Sequence, residues 1–406
     1  MSVHSLMFGW EYPPIHLGGL GVACQGLVNG LLRHNVKVTL VLPHPNPSSQ
    51  EGLDILTPTE DELKRIIVRS QLHPYDSVQK YEERIQLISK SGKTEKIYGD
   101  DLGQEIENFT AMSVELTKDV QPDLVHCHDW MTYEAGARSA AYHNKPLVAH
   151  IHATELDRTH FQPDEWIYKK EQRGFNKADQ IVAVSNYTKS ILVKHYGISS
   201  DKIQVVHNGN AKVQMQRESI IKSVHGQKPA PMVLFLGRMT VQKGPVQFLN
   251  MAAEIHKSRP DVQFVLAGDG NMLGELIHRA HDLNLQENII FAGKVSNSEA
   301  QKLFAKADCF VMPSVSEPFG LVALEALAQG TPVVLSKQSG ASEVVHNAFK
   351  VDFWDTSKMA DCVLTILRED ALVRQIRSEA PNILQKLTWE NQAREIRSLY
   401  NKVINF

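Results

Sequence analysis

A chain of 406 residues with 43 Lys and Arg against 46 Asp and Glu carries a formal net charge of -3, which leaves no general field for a nucleic-acid partner. Hydrophobic residues at 42% and charged residues at 22% belong to an ordinary folded chain, no apolar run approaches the ~20 residues of an integral membrane segment, and the length suggests two domains of roughly 200 residues each. Cys24, Cys127, Cys309 and Cys362 stand far apart without a CxxC pair, and the start MSVHSLMFGWEYPP lacks a secretory pattern; reduced, buried thiols in a cytoplasmic enzyme are the expectation.

In chain order, short Val, Ile and Leu runs alternate with helical patterns: HSLMFG, VKVTLVLP, LVHCH, LVAHIH, QIVAVS and IQVVHN. Runs that are apolar on both faces suit parallel strands covered by helices on each side. The segment from about Pro47 to Asp101 interrupts the series, with a helical DELKRIIV and a possible hairpin at SKSGKT, and reads as an insertion on the acceptor side. After a polar stretch near residues 209 to 230 the pattern restarts as MVLFLG, VQFVLAG, NIIFAG, CFVMPS and TPVVLS. The expected fold is therefore α/β, two Rossmann-like doubly wound domains at 1–210 and 229–386 facing across a cleft, followed by a helical tail at 387–406.

Ligands of such sheets bind beyond the carboxyl ends of the strands, which singles out four places. Gly18, Gly19, Leu20 and Gly21 follow the first strand and let backbone N–H groups approach a phosphate or sugar, or else simply allow a tight turn. The dinucleotide fingerprint fails there, since Cys24 occupies its last glycine position. His126, His128 and Asp129 end one strand and His150 and His152 end the next. Histidines two apart share a face, as in a metal site, but no further Cys/His cluster completes a coordination sphere. His126 and His150 are read as structural, and His128, Asp129 and His152 as site residues.

Arg238 and Lys243 lie on the loop after the first strand of the second series. Two cations there can hold a diphosphate and neutralise charge growing on a leaving group; a solvated surface pair is the plain alternative. This is no Walker loop, because SGKT at 91 to 94 has Leu87 in place of the first glycine. Glu317 precedes a helix start at Phe319, Gly320 and Leu321, whose N–H groups suit an anion. Glu325 falls two turns later within LVALEALA, where a buried carboxylate needs polar partners such as ribose hydroxyls. The chain contains no D-x-D, so no metal-held diphosphate and no metal cofactor are expected.

Together these residues resemble family 4 of the retaining glycosyltransferases, of GT-B fold, over nearly the whole chain. The most specific element is E-x7-E, Glu317 to Glu325, in SEPFGLVALEALAQGTPVV; GRMTVQKG, LAGDGN and VSNYTK are weaker companions. The resemblance implies that Glu325 binds the nucleotide ribose, Glu317 lies by the donor sugar, Arg238 and Lys243 hold the diphosphate, and His152 touches the sugar. It also implies a base pocket at Gly293, Lys294 and Val295, a last helix that crosses back to the first domain, and front-face retention of configuration. GWEYPPIHLGGLG and HCHDW are similar to glycogen and starch synthases, although His16 stands where those enzymes usually carry lysine, and Ser339–Glu343 reads SGASE rather than threonine and paired glycines. The expected partners are a nucleotide-sugar donor and a saccharide acceptor, with an α-glucan and a glucosyl donor of uridine or adenine as the first candidates, and His16, His128 and Asp129 on the acceptor side. A nucleotide-sugar epimerase of the same fold and a catalytically silent glycan-binding protein are the rivals.

Overall fold

The computed structural model describes residues 3–14, 19–43, 46, 50–57, 102–210 and 230–405. The expected helix and hairpin within 58–101, together with His16 and Gly18, lie outside them. The chain divides into two compact units: residues 1–156, 163–209 and 388–406 form the first, and residues 157–162 and 210–387 the second.

The first unit is built on a seven-stranded parallel sheet of order β3-β2-β1-β4-β5-β6-β7. Its strands are β1 Val3–Phe8, β2 Val36–Val41, β3 Leu53–Leu56, β4 Leu124–His128, β5 Leu147–Ile151, β6 Gln180–Ala183 and β7 Ile203–Val205. Side chains alternate between the faces of a strand, and the core obeys that parity. Leu6, Phe8, Val125, Cys127, Ala149 and Ile151 point to one face; Met7, Leu40, Leu124, Val148 and Val182 point to the other. The second face is covered by the helix Gly19–Arg33 and by the C-terminal helix Trp389–Ile404, which brings Ala393, Ile396, Leu399, Tyr400 and Val403 into that core.

The two helices meet at a glycine seam. A Cβ at Gly26 would stand 2.3 Å from the Trp389 ring, and one at Gly30 would stand 2.6 Å from the Trp389 carbonyl oxygen. Only hydrogen at both positions, one turn apart, lets the backbones approach this closely. Thr388 caps the C-terminal helix by accepting from the Asn391 N–H, and the Gln392 amide donates to Asn208 at 3.0 Å.

The second unit carries a six-stranded parallel sheet of order β10-β9-β8-β11-β12-β13. These strands are β8 Met232–Leu236, β9 Gln263–Ala267, β10 Ile289–Gly293, β11 Cys309–Met312, β12 Val333–Ser336 and β13 Phe349–Val351. In each sheet the order reverses direction beside the first strand, at β1/β4 and β8/β11, and crevices that take ligands open at such points. Two strands were not foreseen: Leu53–Leu56, at the start of the supposed insertion, and Phe349–Val351. Both are edge strands, so they lack the double-sided apolar run that marks the inner ones. Among the described residues no helix is long and apolar enough to cross a membrane.

Replacing Gly30 by alanine forces the new methyl against backbone, and overpacking of that kind costs about 1–3 kcal/mol. The expected result for Gly30→Ala is a lower midpoint of urea denaturation at unchanged slope, and an unmoved midpoint would show that the seam has room to spare.

Candidate active site

In the second unit the loops that leave β8 and β11 are tied together at the switch point. Gly244 has φ +71, and a Cβ on it would lie 2.1 Å from the Pro313 carbonyl oxygen, so only glycine suits both the dihedral and the close approach. The Val315 N–H donates to the Gln242 carbonyl at 2.9 Å. This splice sets the Lys243 ammonium 2.6 Å from Glu317 Oε2, with the two side chains 23% and 7% exposed. Ser314 Oγ adds a hydrogen bond to the same carboxylate oxygen at 3.2 Å.

The Glu317 backbone is fixed as firmly, because its N–H donates to the Gln338 carbonyl and its carbonyl accepts from the Gly340 N–H. Next to it, Ser316 Oγ donates to Asp157. Removing one partner from an ion pair this well buried leaves the other uncompensated, at a cost of about 3–5 kcal/mol. Both members are therefore held in place. Arg238 is exposed on the same loop, with Nη2 3.5 Å from Gln242 Oε1.

Further loops join this centre. The Met239 N–H donates to the Asp269 carbonyl at 2.9 Å, and the Gly268 N–H donates to the Gly293 carbonyl at 2.7 Å. The GDGN turn thus links the cationic loop to the segment of Gly293, exposed Lys294 and partly buried Val295. Sequence reading ranked that turn as a weak companion only. The helix Leu321–Ala328 starts at Gly320, with φ +102 and no side-chain cap, directly after the buried Phe319. Its N–H groups point from a backbone fixed on Ala341, whose own N–H donates to the Phe319 carbonyl at 2.6 Å. Glu325 sits just over one turn into the helix, partly buried; burial alone raises its carboxyl above the usual range. Among the described residues this carboxylate has no hydrogen-bond partner, which leaves both oxygens for a ligand.

The first unit, taken by itself, holds a row of imidazoles. His126, His128 and His150 share the sheet face covered by the C-terminal helix, and His128 lies opposite His150 in the β4/β5 register. All three are fully buried. Ring centroids are 5.1 Å apart for His128 and His150 and 4.3 Å for His150 and His152. His126 Nδ1 meets Tyr400 Oη at 2.5 Å, and His128 Nδ1 meets His152 Nε2 at 2.9 Å. Burial lowers the pKa of every member: His126 to about 3, His128 and His150 well below the ordinary histidine value, and His152 downward against the opposing pull of Asp129. The row is uncharged at neutral pH.

Three of these rings have nitrogens within 4.8 Å of one another, the spacing of a candidate metal cluster. The rings lie only 2° to 31° from parallel, however. Their in-plane lone pairs run side by side instead of converging to the ~2.0–2.1 Å that zinc requires.

Of the residues expected on the acceptor side, His128 is fully buried and Asp129 is 4% exposed. Asp129 adopts φ +59 before the helix Trp130–His143, and its Oδ1 accepts the His152 N–H at 2.7 Å. A non-glycine residue there carries about 1–3 kcal/mol of strain. Gly19 opens its helix.

A model described as glycosyltransferase family 4 matches residues 17–210, and one described as glycosyl transferases group 1 matches residues 216–382. An uncharacterised glycosyltransferase of Methanocaldococcus jannaschii is 30% identical, covering 97% of each chain. The glycogen synthase of Mycobacterium tuberculosis is 26% identical over 97% of this chain and 94% of its own length. Among solved structures, sucrose-phosphate synthase of Thermosynechococcus elongatus superposes with a TM-score of 0.76 at 18% identity and 99% coverage of both chains. HepE of Anabaena in complex with UDP and glucose gives 0.70 at 18% identity, over 98% of this chain and 100% of that one.

The neutral row makes a prediction about stability. His126 titrates near 6.5 when unfolded and near 3 when folded, so its contribution is complete above pH about 6.5 and is lost as the pH falls toward 3. Each such histidine adds a slope of about 1.4 kcal/mol per pH unit in that window. Urea denaturation followed from pH 6.5 down to about 4.5 should show a steep loss that His126→Asn reduces by roughly that slope. An equal slope in wild type and variant would contradict the buried neutral imidazole.

Proposed function

The chain belongs to the family 4, group 1 glycosyltransferases of GT-B fold, and on that premise we propose that it transfers a glucosyl group from a nucleoside diphosphate sugar to a saccharide acceptor, with retention of configuration and without a metal ion. The observation that carries this reading is the Lys243–Glu317 pair at the β8/β11 switch point: a cation and a carboxylate, both held rigidly, beside an uncapped helix start and a second cation, Arg238.

In this reading Arg238 and Lys243 take the diphosphate, together with the N–H groups of Phe319, Gly320 and Leu321. Glu325 takes the ribose hydroxyls, replacing the solvent its carboxylate has partly lost. Glu317 lies by the donor sugar, and Lys294 and Val295 border the base. His152 of the first unit, Gly19 at the start of its first helix and Gly18 before it in sequence are assigned to the sugar and phosphate. As the bond from the sugar to the diphosphate breaks, negative charge grows on the departing oxygen. Fixed cations and amide dipoles that are already oriented toward it lower the barrier without reorganising. A donor phosphate oxygen takes the acceptor hydroxyl's proton as that hydroxyl attacks from the same face. The chain has no D-x-D to hold a cation on the diphosphate, so this work falls to Lys243 and Arg238.

The UDP and glucose held by the Anabaena protein support a glucosyl donor, and the likeness to a glycogen synthase supports an α-glucan acceptor. Four free, buried cysteines support a reducing, cytoplasmic setting.

Incubation with UDP-glucose or ADP-glucose, with and without a glucan, should release nucleoside diphosphate only when acceptor is present. Change in the donor sugar alone would point to epimerisation and overturn the proposal. Glu325→Ala should weaken nucleotide binding by ~1–3 kcal/mol in calorimetry, whereas Lys243→Ala should lower kcat more than donor affinity. An unchanged dissociation constant in the first, or equal losses in the second, would contradict the roles assigned.

A further inference from the structure

The segment Asp157–Gln162 belongs to the second unit, although the residues on either side of it belong to the first. It is fastened there by Ser316 Oγ, which donates to the fully buried Asp157. Two consecutive non-glycine residues of the segment, His160 and Phe161, adopt φ +53 and +61, a costly conformation for side chains of this size. The His160 ring meets Phe353 edge to face with centroids 6.4 Å apart, and Phe353 meets Trp354 in the same way at 4.9 Å. Trp354 is 63% exposed, more than any other large apolar side chain among the described residues, and Phe161 is 41% exposed. We propose that the His160, Phe353 and Trp354 rings form a binding ledge for a neutral saccharide chain, which holds the acceptor beside the transfer centre of the second unit.

Phe353 and Trp354 follow the carboxyl end of β13, on the same rim of the parallel sheet as the loops after β8 and β11. In that sheet β13 lies two strands from β11, roughly 10 Å at ordinary strand spacing. Gln338 joins the ledge to the centre: its side chain accepts the Phe353 N–H at 3.3 Å and donates to Asp352 Oδ1 at 3.0 Å, while its carbonyl accepts the Glu317 N–H at 2.9 Å. With Asp157 bonded to Ser316, both sides of the ledge are anchored on Glu317 or its neighbour. Aromatic rings pack against the C–H face of a sugar while polar neighbours take its hydroxyls. The charges here are already engaged, since Lys337 pairs with Asp352 at 2.8 Å and Asp355 caps the helix Thr356–Arg368. Such a surface has no spare cation for an anionic lipid or a nucleic acid, whereas a neutral polyol asks for no net charge.

The ledge depends on the transfer reaction proposed above for its role, but binding to it is measured without turnover. In native gels containing glycogen the wild-type protein should be retarded, and Trp354→Ala should bind about tenfold more weakly, as truncation of a tryptophan anchor does. Trp354→Phe, which keeps a ring, should recover most of the retardation. Equal retardation of wild type and Trp354→Ala, or none for the wild type, would overturn the ledge. With UDP-glucose or ADP-glucose as donor, Trp354→Ala should raise KM for glycogen about tenfold and leave kcat and donor KM within about twofold, the pattern of a group that binds substrate and transition state alike. A fall in kcat at unchanged KM for glycogen would likewise contradict it. Retardation that depends on Trp354 without any sugar transfer would leave the ledge standing and defeat the transfer reading alone; transfer without such retardation would do the reverse.

Discussion

The structure depends most on the ion pair between Lys243 and Glu317. Removing either charge would strand the other in a largely buried place, and the Gly244 approach to Pro313 and the Ser314 contact to Glu317 hold the loops after β8 and β11 at the geometry where the two meet. The pair also neutralises itself while no ligand is present. A diphosphate and a sugar entering here exchange one set of compensated charges for another, which keeps the site preorganised without leaving a buried charge exposed to water.

The first unit solves a different problem with the same economy. Polar side chains on an inner strand would ordinarily weaken a core, but stacked neutral imidazoles fill volume like aromatic rings, and the two ends of the row are tied by the His126–Tyr400 and His128–His152 hydrogen bonds. Tyr400 of the C-terminal helix closes the inner end of the row and His152 forms the outer end. The row and the last helix therefore pack on a single sheet face, and the glycine seam at Gly26 and Gly30 lets that helix sit close enough to cover it.

Much of this was legible in the sequence, and the exceptions share a cause. The inner strands announced themselves as double-sided apolar runs, and E-x7-E and the Arg238–Lys243 loop marked the second unit's switch point. Leu53–Leu56 and Phe349–Val351 escaped notice because an edge strand needs apolar side chains on fewer sides. The pairing of Lys243 with Glu317 joins residues 74 positions apart, and nothing local encodes it. The spacing of His126 and His128, and of His150 and His152, placed each pair on one face; the register that stacks one pair upon the other was not readable. The depth of His128 was not readable either: it ends its strand, yet all five residues of β4 are buried.

The central claim is that the second unit's switch point holds a nucleoside diphosphate by cations and backbone amides. A crystal structure of the protein soaked with UDP or ADP tests it most directly. The account predicts phosphate oxygens within hydrogen-bond distance of Lys243 and Arg238 and the ribose hydroxyls on Glu325. A nucleotide bound elsewhere, with the Lys243–Glu317 pair undisturbed and Glu325 still without a partner, would contradict it.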